Sequence, residues 1–128
     1  MNSVVYCDKV YVKKTKDKGL GVFAKNYIKK GELIEKGVIR RIEIDGNDCP
    51  YLFTWSEDRS VWGFGSGCST FYNTSLKPNT KMVRYYDEDR YEIYSLRNIE
   101  RNEELTHKYK SLQWRKCFED LRNMEDLS

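Results

Sequence analysis

At 128 residues the chain has room for one domain with one modest core. Its composition, 39% hydrophobic, 14% aromatic and 34% charged, excludes a disordered chain, because the aromatics supply burial that disorder lacks. A net charge of +3 suits an acidic or mixed partner and falls far short of a nucleic-acid arm, so no direct nucleic-acid contact is expected.

The first segment, 4–12, alternates loosely and is rich in Val and Tyr, which predicts a strand or hairpin. A basic turn at 13–18 leads into Lys18-Gly19-Leu20-Gly21-Val22-Phe23-Ala24, where two glycines bare the backbone before a short buried strand. After a turn at 29–32, the β-branched runs over 32–44 are interrupted by Gly37 and predict two strands. An apolar aromatic segment at 51–55 and a strand-like one at 61–64 follow. The alternating segments 81–86 and 91–96, joined by Asp87-Glu88-Asp89-Arg90, predict a hairpin. A turn at 98–103 precedes a short strand at 104–106.

The tail changes period. Leu112, Trp114, Cys117, Phe118, Leu121 and Met124 recur at helical spacing, and Ser111 can cap the start. This predicts one amphipathic helix within 111–126. The sum is a mainly β domain of many short strands with one C-terminal helix.

Cys7, Cys49, Cys68 and Cys117 form no CxxC pair, and there is one histidine, so a zinc site from sequence-local ligands is not expected. The first ten residues carry no apolar run, and no stretch of about 18 apolar residues occurs. The thiols are therefore read as reduced, the protein as intracellular, and no membrane partner is expected.

The stretch around which the chain is organised is Thr70-Phe71-Tyr72-Asn73-Thr74-Ser75-Leu76-Lys77-Pro78-Asn79. Phe71 and Tyr72 want burial, whereas Asn73, Thr74 and Ser75 bond their own backbone and favour turns. Pro78 disfavours a helical Lys77 and stops a strand. By itself this is a strand ending in a turn. Two other motifs flank it: the glycine segment 18–24 with Lys30-Gly31-Glu32-Leu33-Ile34, and Asn102-Glu103-Glu104-Leu105-Thr106-His107-Lys108-Tyr109.

Three motifs in this order resemble the SET domain of protein lysine methyltransferases, in its minimal viral and bacterial form without flanking zinc modules. The resemblance covers about 10–114 and implies a single SET domain over 1–128. It implies several small sheets and a C-terminal pseudoknot, with S-adenosylmethionine on one face and a substrate lysine entering a channel from the other. The activity implied is methyl transfer to a lysine ε-amine of a protein, a histone tail or another host protein, in the cytoplasm or a host nucleus. No metal is implied.

By the same resemblance, Lys18, Gly19, Leu20 and Gly21 form the loop against the methionine end of the cofactor; a plain glycine turn is the alternative. Phe71, Tyr72, Asn73 and Thr74 form its second wall, with Asn73 holding the adenine and amino ends. Thr74 stands where the family usually has histidine; it keeps one donor and acceptor and loses the ring. Tyr109 matches the catalytic tyrosine, singled out among ten tyrosines by its Glu-Glu-Leu-Thr-x-x-Tyr context. Tyr51 would line the channel or pack in the core. Trp114 would cover the adenine or serve the helix core. His107 occupies the position that in many relatives sets how many methyls are added, or else ends a strand partly exposed. The helix face could support a homodimer or pack on its own domain. The alternative to an active enzyme is a SET-like cofactor- or protein-binding module impaired by Thr74.

Overall fold

The computed structural model describes residues 3–43, 52–56 and 60–108. The predicted helix within 111–126, together with Tyr51, Tyr109 and Trp114, lies outside the described residues.

Within the described residues the elements are nine strands and two short 3-10 turns. The strands are β1 (Val10–Lys14), β2 (Leu20–Ala24), β3 (Leu33–Ile42), β4 (Leu52–Thr54), β5 (Trp62–Gly65), β6 (Asn73–Thr74), β7 (Thr80–Tyr85), β8 (Arg90–Ser95) and β9 (Glu104–His107). One sheet runs in the order β1-β2-β9-β6 and the other in the order β4-β5-β3-β8-β7. The mainly β prediction holds.

The predicted hairpin is β7–β8, antiparallel from Thr80↔Ser95 to Tyr85↔Arg90. Its turn is the 3-10 segment Tyr86–Glu88, closed by Asp89 in the left-handed conformation. The Asp89 carboxylate accepts from Arg41 Nε at 2.9 Å and Trp55 Nε1 at 3.0 Å, so the hairpin tip is tied to β3 and to the residue following β4.

Two predictions need correction. Gly37 does not divide the segment 32–44: β3 is one continuous strand that pairs with β8 through Val38 and with β5 from Ile39 onward. The glycine marks a close approach rather than a break. A Cβ there would lie 2.5 Å from both the Tyr91 hydroxyl and Ser66 Oγ. The N-terminal segment 4–12 is also not a strand throughout. Tyr6 makes a single bridge to Lys36, and regular pairing begins at Val10.

The core cluster joins both sheets: Val22 and Leu105 from the first, Ile34, Tyr91 and Ile93 from the second, with Ile28, Ile99 and Tyr72 from the connections. Ile28 and Ile99 bridge to each other and are each 1% exposed or less. At about 25 cal/mol per Å² of apolar surface removed from water, these fully buried side chains supply the main stabilisation of the junction. The topology that positions the site is the insertion of β9, late in the chain, between β2 and the earlier β6. β9 runs antiparallel to β2 and parallel to β6.

Candidate functional site

The glycine segment opens with a loop closed by Thr15. Its backbone N–H and its hydroxyl both donate to the Gly19 carbonyl, at 2.6 and 2.7 Å, and its Oγ1 accepts from the Lys18 N–H at 2.8 Å. Gly19 has φ +73°, which L side chains rarely adopt, and a Cβ there would meet nothing within 4 Å. Gly21 is the opposite case. A Cβ at Gly21 would lie 2.7 Å from Thr15 Cγ2, 2.8 Å from Glu104 Oε2 and 3.1 Å from Asn73 Nδ2.

That contact joins all three motifs. The Asn73 amide donates to the Leu20 carbonyl at 3.1 Å and to the Glu104 carboxylate at 2.8 Å. Asn73 stands opposite Thr106, and Thr74 opposite His107, in the parallel β6–β9 pair. The Ser75 N–H donates to the His107 carbonyl. Asn79 fastens the far end: its side chain accepts from the Thr106 N–H and donates to the Glu104 carbonyl, both at 2.8 Å. The Thr80 hydroxyl donates to the Thr106 carbonyl at 2.8 Å. Residues 73–80 thus clasp β9 through side chains as well as backbone.

His107 is 3% exposed and its ring lies 5.8 Å from that of Tyr72. Burial, and secondarily the Arg84 cation, pull its imidazole down to about 3, so it is neutral near pH 7. Tyr72 is buried, and its hydroxyl donates to Glu35 at 2.9 Å.

A family model, described as the SET domain, matches residues 19–110, more than two thirds of the chain. The chain belongs to the SET domain family. Histone-lysine N-methyltransferase trr of Drosophila melanogaster is 34% identical over 115 residues; the match takes in 79% of this chain and 5% of that protein's length. A crystal structure of a candidate histone methyltransferase from Plasmodium falciparum is 30% identical, covers 79% of this chain and 92% of its own, and superposes with a TM-score of 0.64. A humanized mutant of the Chaetomium thermophilum Polycomb Repressive Complex 2 bound to the inhibitor GSK126 shares the fold at 24% identity and TM-score 0.68, over 83% of this chain and 15% of that one.

Against this SET frame, the structure brings Leu20 and Gly21 from one side of β9 together with Asn73 from the other, with Lys18 and Gly19 in the loop just before and Thr74 just after. Leu20 is 50% exposed, whereas Gly21 and Thr74 are buried. Phe71 ends the 3-10 turn Ser69–Phe71 half-buried, and Tyr72 points inward, so its side chain serves the core. His107 is not a partly exposed strand end: it is enclosed against Tyr72.

The sequence reading assigned no role to two residues of this corner, Thr15 and Glu104. Glu104 was visible as the second glutamate of the third motif; only its distance from Asn73, across 31 residues of chain, reveals the contact. The corner is rich in acceptors: a carboxylate and the Leu20 carbonyl face the Asn73 amide. Such a set suits a ligand carrying positive charge. Among the described residues, no group of three or more His, Cys, Asp or Glu is placed to hold a metal ion.

Proposed function

We propose that this chain is an S-adenosylmethionine-dependent protein lysine N-methyltransferase. The observation that carries the reading is the convergence of Gly21, from β2, and Asn73, from β6, on Glu104 of the β9 strand between them. The cradle fits the cofactor in two respects. Gly19 and Gly21 leave backbone bare where a Cβ would obstruct an approaching ligand or displace Asn73. The acceptors beside them match a ligand that bears an ammonium and a sulfonium.

When bound, S-adenosylmethionine supplies an activated methyl group on sulfur. The protein's part is placement. Asn73 and the 18–21 loop hold the donor, and alignment of an incoming amine with the methyl can contribute roughly 7–11 kcal/mol in favourable cases. The target lysine must be neutral to attack, and the low-polarity surroundings that keep His107 uncharged favour the same state in an amine entering beside it. The hydroxyl of Tyr109 is assigned the role of orienting that amine. The SAM-bound state of a Chaetomium Polycomb complex, 22% identical with TM-score 0.67, supports the fold's capacity for this ligand. The names of the Drosophila and Plasmodium relatives favour a histone as substrate.

The second reading, a binding module without transfer, rests on Thr74, which is 4% exposed and cannot reproduce an imidazole. Incubation of the full chain with methyl-labelled S-adenosylmethionine and core histones separates the two. Label on histone lysine that is lost in Tyr109→Phe supports the enzyme. Cofactor binding with no transfer supports the module.

A further inference from the structure

Glu35, on β3, is completely buried, and no cation pairs with it among the described residues. Four groups hold or surround it. The Tyr72 hydroxyl reaches Oε1 at 2.9 Å, and the Cys68 N–H donates to Oε2 at 2.9 Å. The Tyr91 hydroxyl lies 2.5 Å from Oε2 and 2.7 Å from the Ser66 carbonyl. Gly67, at φ +63°, passes so close that a Cβ would stand 2.6 Å from Oε2.

With the carboxyl ionised, one of the surrounding contacts has no hydrogen of its own. Tyr72–Oε1, Tyr91–Oε2 and Tyr91–Ser66 are three oxygen–oxygen contacts at hydrogen-bond distance, and two phenols supply two protons. An ionised carboxyl would leave the Tyr91 hydrogen divided between Oε2 and the Ser66 carbonyl, whereas a protonated one gives each contact its own hydrogen. We propose that Glu35 is a neutral carboxylic acid in the folded protein and, in that form, the positioning residue for the segment 66–73 that delivers Asn73 to the site. It donates to Tyr91, which donates to Ser66, while it accepts from Tyr72 and Cys68. The segment is thereby gripped at Ser66, Cys68 and Tyr72, the residue immediately before Asn73.

Burial raises the Glu35 carboxyl above the usual carboxylate range, against hydrogen bonds from Tyr91, Tyr72 and Cys68 that pull it down. The titratable groups facing it are those two phenols and the Cys68 thiol, itself pushed up to about 12 by burial, Glu35 and the neighbouring Cys7. Among the described residues none of these is cationic, so only the hydrogen bonds offset a buried negative charge.

The positioning half rests on the proposed methyltransferase reading; the protonation half does not. The test uses the full chain and its Glu35→Gln, Glu35→Leu and Tyr72→Phe variants. Difference infrared spectra at neutral pH should show a carboxylic-acid carbonyl band in wild type that Glu35→Gln removes. Denaturant stability of wild type relative to Glu35→Gln should fall as pH rises through the folded-state pKa, because a raised carboxyl stabilises only while protonated. Absence of the band, together with parallel pH profiles, overturns the neutral acid.

For positioning, amide exchange across 66–73 should quicken in Glu35→Leu and Tyr72→Phe and be largely rescued in Glu35→Gln. S-adenosylmethionine affinity should weaken up to about tenfold in Tyr72→Phe, the scale of one buried hydrogen bond. Unchanged exchange and affinity in Tyr72→Phe overturn the positioning role. If Glu35→Leu fails to fold, Glu35→Gln and Tyr72→Phe still decide. A wild type that binds no S-adenosylmethionine sinks the methyltransferase reading, while the spectra and exchange continue to judge Glu35.

Discussion

Replacing Gly21 by alanine tests whether the three motifs share one ligand corner. Its φ is not in the left-handed region, so backbone strain is not the issue; space is. The new methyl would sit 2.7 Å from Thr15 Cγ2 and 2.8 Å from Glu104 Oε2. Thr15 cannot yield cheaply, since its hydroxyl and N–H are both committed to the Gly19 carbonyl. Glu104 can swing away, and then Asn73 loses its carboxylate partner. Overpacking costs about 1–3 kcal/mol, and a hydrogen bond to a charged group about 1.5–3 kcal/mol. Against this, alanine restricts the unfolded chain by about 0.4–1 kcal/mol. Both contacts are closer than a Cβ tolerates, so both neighbours must shift and the costs add, for a net expected loss of about 2–5 kcal/mol in urea unfolding followed by tryptophan fluorescence. Because Asn73 loses its Glu104 partner, calorimetric titration with S-adenosylmethionine should show weakening beyond that caused by Gly19→Ala, where the added methyl meets nothing. Thr15→Ser, which removes Cγ2 and keeps the hydroxyl, should restore part of both losses. Stability within about 0.5 kcal/mol of wild type with unchanged affinity would refute the corner as drawn.

His107 is protonated in the unfolded chain below about 6.5 but resists protonation down to about 3 when folded, so acid should cost about 1.4 kcal/mol per pH unit across that window; His107→Asn should flatten the dependence in pH-resolved denaturation curves. His107→Phe should change the ratio of mono-, di- and trimethylated product by mass spectrometry, and an unchanged ratio excludes a role in product control. Asn79→Ala strands the Thr106 N–H and the Glu104 carbonyl and should lower stability by about 2–4 kcal/mol in urea melts. Gly19→Asn should cost less than Gly19→Ala in the same melts, because asparagine tolerates positive φ better.

The regular elements were legible wherever a local pattern carried them. The β7–β8 hairpin follows from alternation on both sides of Asp87-Glu88-Asp89-Arg90, and the bent glycine loop follows from Gly19. The unbroken β3 was not legible. A glycine in a β-branched run reads as a break, and only the Tyr91 ring arriving from β8 shows that the missing side chain makes room. Glu35 was hidden for a related reason. A glutamate in a strand reads as a solvent-facing residue, and its burial depends on two phenols, from 37 and 56 positions away, converging on it.

The family and the types of residue available for chemistry were readable from the chain alone, because motif order and spacing are properties of the chain. The sequence could name Gly21, Asn73 and the 102–109 motif but not that they touch. That contact comes from the fold, which inserts β9 between β2 and β6. The cause is physical: backbone pairing and the Asn79 clasp fix the register of strands far apart in sequence, and register determines which side chains meet.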